Sequence, residues 1–226
     1  MIEPPFKPPK PMVSGHRHLA GTGRAALVNE LRRLQMRQTA PQGAVRERCD
    51  ICGQDVPSDH RHVLDLTDRR IMCTCETCLV RMGDNARYRP VGQRVLPLES
   101  FELSDELWAR FAIPVGLAFF FRSSISDQIV ALYPSPLGAT ESELDMSAWN
   151  DLVAANPQLA DLEPDAEALL VQRMKSPHSH FVVPIDQCYE LVGIVKSSWH
   201  GISGGPEADR AIAEFFQRLT QRVAAP

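Results

Sequence analysis

The chain has 226 residues, 44% of them hydrophobic and 23% charged, an ordinary globular composition with room for one sizeable core and a small satellite module. Its longest apolar stretch, Ile113–Phe121, falls far short of the ~20 residues that a membrane-spanning helix needs. The net charge of −4 divides into +6 over residues 1–48, −1 over 49–92 and −9 over 93–226, and so acidic a body argues against a dedicated nucleic-acid binder.

Residues 1–21 form a tail with five prolines in its first eleven positions. Proline fixes φ and removes amide donors, so an extended, disordered segment is expected. The tail lacks an apolar stretch of the kind a secretory leader carries, which makes the cytoplasm the expected compartment. There, clustered cysteines favour metal ligation over disulfides.

Residues 22–45 carry an amphipathic basic helix. Leu27, Leu31 and Leu34 recur on one face, and Arg24, Arg32 and Arg33 lie on the others, a pattern that fits docking on the chain's own body or on an acidic partner.

Residues 46–92 hold five of the six cysteines. Cys49-x-x-Cys52 is followed by Gly53, which suits a metal knuckle because the residue after the second cysteine often needs positive φ. Asp65–Arg70 reads as a tight hairpin turn between two short apolar strands. The second half is Cys73-x-Cys75-x-x-Cys78, so two Cys-x-x-Cys pairs stand 22 residues apart.

The best tetrahedral set is Cys49, Cys52, Cys75 and Cys78. Cys73 is then surplus, or else replaces Cys75. His60 or His62 is the weaker candidate, completing a Cys3His set or standing behind the ligands. Four thiolates suit zinc and iron alike. The first knuckle resembles that of rubredoxin, but the module's single aromatic, Tyr88, is fewer than such an iron centre usually has around it. A closed four-thiolate site is structural by default, and a reactive group would have to be Cys73.

From residue 93 the pattern changes to an α+β body of residues 93–226, a mixed sheet layered with helices, on which the small zinc-ribbon or rubredoxin-like module packs. Strands are expected at Arg94–Leu98, Val115–Arg122, Gln128–Tyr133, Phe181–Pro184 and Cys188–Lys196. Helices are expected at Asp105–Phe111, Ser147–Ala155 with Ser147 as N-cap, Pro164–Met174 and Pro206–Val223. The acidic run Asp161, Glu163, Asp165 and Glu167 reads as solvated charge at a helix start, and Cys188 as a buried core thiol.

Gly201-Ile202-Ser203-Gly204-Gly205 matches a nucleophile elbow, but no histidine follows Ser203, so a serine-hydrolase triad in the usual order is excluded. His16-x-His18 and His178-x-His180 read as surface histidines. The chain offers no convincing catalytic constellation.

Several segments carry a family likeness: Cys49–Cys52 with His60-Arg61-His62, Cys73–Cys78, FFFRSS at 119–124, YPSPLGATES at 133–142, EPDAEALLV at 163–171, VPIDQCYELVG at 183–193 and WHGISGG at 199–205. Over residues 48–222 the chain resembles an uncharacterised bacterial family, known only as a domain of unknown function, whose members are typically encoded beside [NiFe]-hydrogenase structural and maturation genes. The resemblance implies an accessory or assembly role, with a hydrogenase subunit or maturation factor as protein partner, or a small electron carrier. It brings no catalytic residue with it. A zinc-ribbon regulator that binds nucleic acid is the remaining alternative.

Overall fold

The computed structural model describes residues 47–201 and 204–224. The expected tail, the basic helix with Arg24, Arg32 and Arg33, the His16/His18 pair and Ser203 lie outside the described residues. No helix among the described residues is long and apolar enough to cross a membrane.

Strands β1 (Arg61–Asp65) and β2 (Arg70–Thr74) form the expected hairpin. Helix α1 (Glu76–Met82) follows at once, and β3 (Tyr88–Pro90) pairs with the free edge of β1, giving an antiparallel sheet in the order β2-β1-β3. The hairpin's end is tied by charge. Asp65, only 2% exposed, accepts from Arg87 Nε at 3.0 Å and Nη2 at 2.6 Å, and from the Thr67 amide at 3.0 Å. The Arg87 hydrogen bonds outweigh burial and hold the Asp65 carboxyl below its usual range. Arg87→Ala leaves a buried carboxylate with a backbone donor alone. We expect a melting temperature lower by several degrees at neutral pH. The difference should shrink as pH falls through the native Asp65 pKa and the carboxylate gains its proton. Paired thermal melts at pH 7 and pH 3 check this.

The body is one six-stranded sheet in the order β4-β9-β8-β5-β6-β7. Its strands are β4 (Leu96–Pro97), β5 (Leu117–Ser123), β6 (Gln128–Ser135), β7 (Gly138–Ser142), β8 (Glu167–Gln172) and β9 (Ser179–Pro184). Every neighbouring pair is antiparallel. The expected α+β class holds, but the described sheet is wholly antiparallel instead of mixed.

Helices cover both faces. On one lie α2 (Asp105–Arg110), α3 (Met146–Ala155) and a 3-10 turn (Pro157–Asp161); on the other lie α4 (Ile185–Ser198) and α5 (Gly205–Ala224). Strand alternation in β5 sorts the two cores. Leu117, Phe119 and Phe121 pack with α4 and α5, and Ala118 and Phe120 pack with Phe111, Trp149 and Leu152. Leu64 of β1, with Leu66 and Val91 just beyond the ends of β1 and β3, joins the first of these cores, so the cysteine module is seated on the body by apolar contact.

Two expected elements exchange type. Residues 164–174 read as a helix because Glu, Ala and Leu are helix formers, yet Glu167–Gln172 is β8, hydrogen-bonded on both edges and buried on both faces. A strand buried twice is a continuous apolar run without alternation. Conversely, 188–196 read as a strand on its Val and Ile content, but Ile185, Cys188, Leu191, Val192 and Val195 are buried at helical spacing in α4. Cys188 is a core thiol, as expected, and burial pushes its pKa well up.

Smaller corrections follow. Asp145, not Ser147, caps α3, accepting from the Ser147 amide at 2.9 Å. The acidic run is structural in part: Asp165 accepts from the Ser124 amide, and Glu167 holds Arg94 through two 2.7 Å bonds. Gly201 follows helix α4, not a strand.

His180 is no surface residue. It sits in β9, half-buried, with its ring stacked on Phe101 at 4.5 Å. Burial, aided by the charges of Arg173 and His178, lowers its pKa from 6.5 to about 4. In that interval the unfolded chain takes up a proton that the folded chain refuses. Its contribution is therefore complete above pH 6.5 and is lost as pH falls towards 4. A His180→Gln protein should lose less melting temperature across this window than the wild type; equal losses would show that the ring is not held neutral.

Candidate metal centre

The four cysteines chosen on spacing come together. The sulfurs of Cys49, Cys52, Cys75 and Cys78 all lie within 4.8 Å of one another. A tetrahedral ion with metal–sulfur bonds of about 2.3 Å has sulfur–sulfur edges of about 3.8 Å, and Cys52 Sγ stands 3.7 Å from Cys75 Sγ. The donor set thus has the size and the chemistry for one zinc or iron ion. No space is left for a fifth ligand in a tetrahedron of four thiolates.

Local structure explains the convergence. Gly53 takes φ +75°, as expected for the knuckle, and its amide donates to the Cys49 carbonyl at 2.8 Å. The backbone reverses there, and the amides of Cys75, Cys52 and Ile51 all donate to the Cys49 sulfur. Burial alone would raise the Cys49 thiol, but these donors outweigh it and bring the pKa down to about 6. Burial, together with its hydrogen bonds to the sulfurs of Cys52, Cys75 and Cys49, pushes Cys78 up to about 12. One thiolate is favoured at neutral pH and a second is opposed, an imbalance that a divalent cation removes.

The second pair sits at the start of a helix. Cys75 is the N-cap of α1, and Cys78 lies in that helix's first turn, so the motif runs knuckle, hairpin, helix. The helix positions Cys75 and Cys78 three residues apart on one face. The surrounding apolar cluster consists of Val56 and Ile51 with the sulfurs, and it contains no aromatic ring.

Cys73 and the two histidines stand elsewhere. Cys73 is cross-strand partner to His62 in the hairpin, and Cys73, His60 and His62 form a separate group with one ligand atom from each within 4.8 Å of the others. The sequence carried a signal for this group. A turn closing Asp65 on Arg70 places His62 opposite Cys73, and His60 shares the face of His62 two residues along. Asp186, which meets His62 from 124 residues away, left no such trace.

A family model described as "Family of unknown function (DUF5947)" matches residues 48–223. The chain belongs to this family. Its match begins at the residue before Cys49 and takes in both the cysteine module and the body. No curated protein and no solved structure matches the chain.

Proposed function

We propose that this DUF5947 protein is an accessory or assembly factor in which Cys49, Cys52, Cys75 and Cys78 hold one zinc ion that braces a protein-docking surface. The convergence of the four sulfurs carries this reading. A four-thiolate centre offers no position for substrate, so it works through the shape it imposes. The exposed Val80, on the helix that presents Cys78, gives that surface an apolar contact. The likeness of its segments to a family encoded beside [NiFe]-hydrogenase genes supports a hydrogenase subunit or maturation factor as partner, met in the cytoplasm.

A rubredoxin-like iron carrier is the second reading. It is favoured by Cys52, an exposed residue that brings the cluster to the surface where electrons would enter. Metal analysis with an absorption spectrum, on untagged protein purified anaerobically from its host, separates the two. Zinc without visible bands supports the structural reading, and reducible thiolate-to-iron bands replace it with the carrier. Hydrogenase activity in a deletion strain tests the context. Restoration by the wild-type gene but not by Cys49→Ser is expected, and undiminished activity in the deletion strain would remove the hydrogenase role.

A further inference from the structure

The four-thiolate centre uses neither histidine of the module nor Cys73. We propose that His60, His62 and Cys73 form a second, separate metal site, for an ion of the zinc class, with one coordination position open to a cleft that admits a small oxyanion.

Both imidazoles are prepared as ligands. His62 Nδ1 lies 2.8 Å from Asp186 Oδ2, and an ionised carboxylate only accepts. His60 Nδ1 lies 2.7 Å from the Pro57 carbonyl, which also only accepts. In the neutral ring the hydrogen therefore sits on Nδ1 and the lone pair on Nε2. This is the arrangement in which a carboxylate or carbonyl behind a histidine fixes the tautomer for metal binding.

The unmet group is His60 Nε2. The side chain is 4% exposed, and Nε2 is buried without a hydrogen-bond partner. A buried lone pair with nothing to accept requires an explanation. The neighbouring ring is no donor to it: the two imidazoles meet edge-on, centroids 4.6 Å apart at 67°. Cys73 Sγ completes a triangle with one nitrogen from each ring, all within 4.8 Å. Two nitrogens and a thiolate match the borderline softness of zinc.

Three protein ligands leave a tetrahedral ion one position short, as in zinc sites that bind water or substrate. The space for it exists. His60, His62 and Asp186 line a cleft of about 310 Å³ whose other walls include Arg61, Gln93, Gln187 and Arg222. Cys73 is not among the residues that line the cleft, whereas His60 and His62 are, so the proposed open position lies on the histidine side. Two guanidinium groups around a cation favour a carboxylate- or phosphate-bearing small molecule in the fourth position. Asp186 belongs to the first turn of α4, so the site also ties the hairpin to the body.

The test uses the full chain, stripped of metal and reloaded with zinc(II), then in parallel with cobalt(II). Wild type should bind two zinc ions. His62→Ala and Cys73→Ser should each bind one, with unchanged circular dichroism and with the tetrathiolate cobalt bands intact. Azide, as anion probe, should shift the remaining cobalt bands in wild type and leave both variants unaffected.

Asp186→Asn covers the case in which a ligand variant fails to fold. As a positioning change it should weaken the second zinc about 10- to 100-fold while keeping the count at saturating zinc. Equal zinc counts in wild type and both ligand variants would overturn the site. So would loss of the tetrathiolate bands in Cys73→Ser, which would assign that sulfur to the first centre. Cobalt bands indifferent to azide would overturn the open position.

Discussion

Cys49→Ser should release one metal ion per chain and unfold the knuckle and helix α1, while the six-stranded body stays folded. The reason is the size of the local core. Among the described residues, Val56 and Ile51 are the apolar side chains in the cluster around the sulfurs, and a fully buried side chain of that size contributes about 1.5–3 kcal/mol. A structural zinc ion contributes on the order of 10 kcal/mol to the folding of a small module. Without it the knuckle cannot offset the entropy of ordering its residues. The hairpin is held differently, since Leu64 and Leu66 belong to the body's core. Hydrogen exchange should therefore lose protection over residues 47–56 and 75–82 and keep it at Val63 and Leu64. A chelator added to wild type should reproduce the same map. Wild-type protection and full metal content in the variant would remove Cys49 from the ligand set.

How far the site was legible follows from what fixes each part. The convergence of the four cysteines was legible because two Cys-x-x-Cys pairs lie within a short stretch of chain, and Gly53 announced its positive φ for the same local reason. The second group needed one step more. His60, His62 and Cys73 are linked by hairpin register, which the Asp65–Arg70 turn determines. Read singly, each histidine is a weaker candidate for the cysteine set; read across the strands, His60, His62 and Cys73 share a face. Asp186 belongs to a third class. Nothing local connects it to His62, and only docking of α4 on the hairpin brings the two together.

The fold divides along the same line. Helices α2 and α3 follow from the spacing of their apolar residues and strands β5 and β6 from short continuous apolar runs, both local properties. The exchange of type at β8 and α4 has a common physical cause. Composition favours a helix in EALLVQ, but pairing to β5 and β9 along its length outweighs a propensity difference of about 0.7 kcal/mol or less per residue. In IDQCYELVGIVKSS the β-branched residues suggest a strand, but the burial pattern has a helical period. In both segments tertiary partners decide, and those partners lie far along the chain.

Phe120→Ala supplies the complementary result, a loss of about 3–5 kcal/mol with metal content unchanged. Phe120 is fully buried in the central strand β5. Its ring stacks on Trp149 at 5.6 Å and meets Phe111 at 5.1 Å, so truncation empties the middle of the core beneath α2 and α3. Strand alternation points Phe120 away from Phe119 and Phe121, whose core includes Leu64, Leu66 and Val91 of the module. The cavity and the metal centre are thus on opposite faces of the sheet and share no side chain. Free-energy changes at sites without shared partners add. Urea unfolding of Phe120→Ala with and without chelator should show the same chelator effect as wild type. A chelator effect that disappears in the variant would mean that the sheet transmits strain between its two faces, and that the metal braces the whole body instead of the module it sits in.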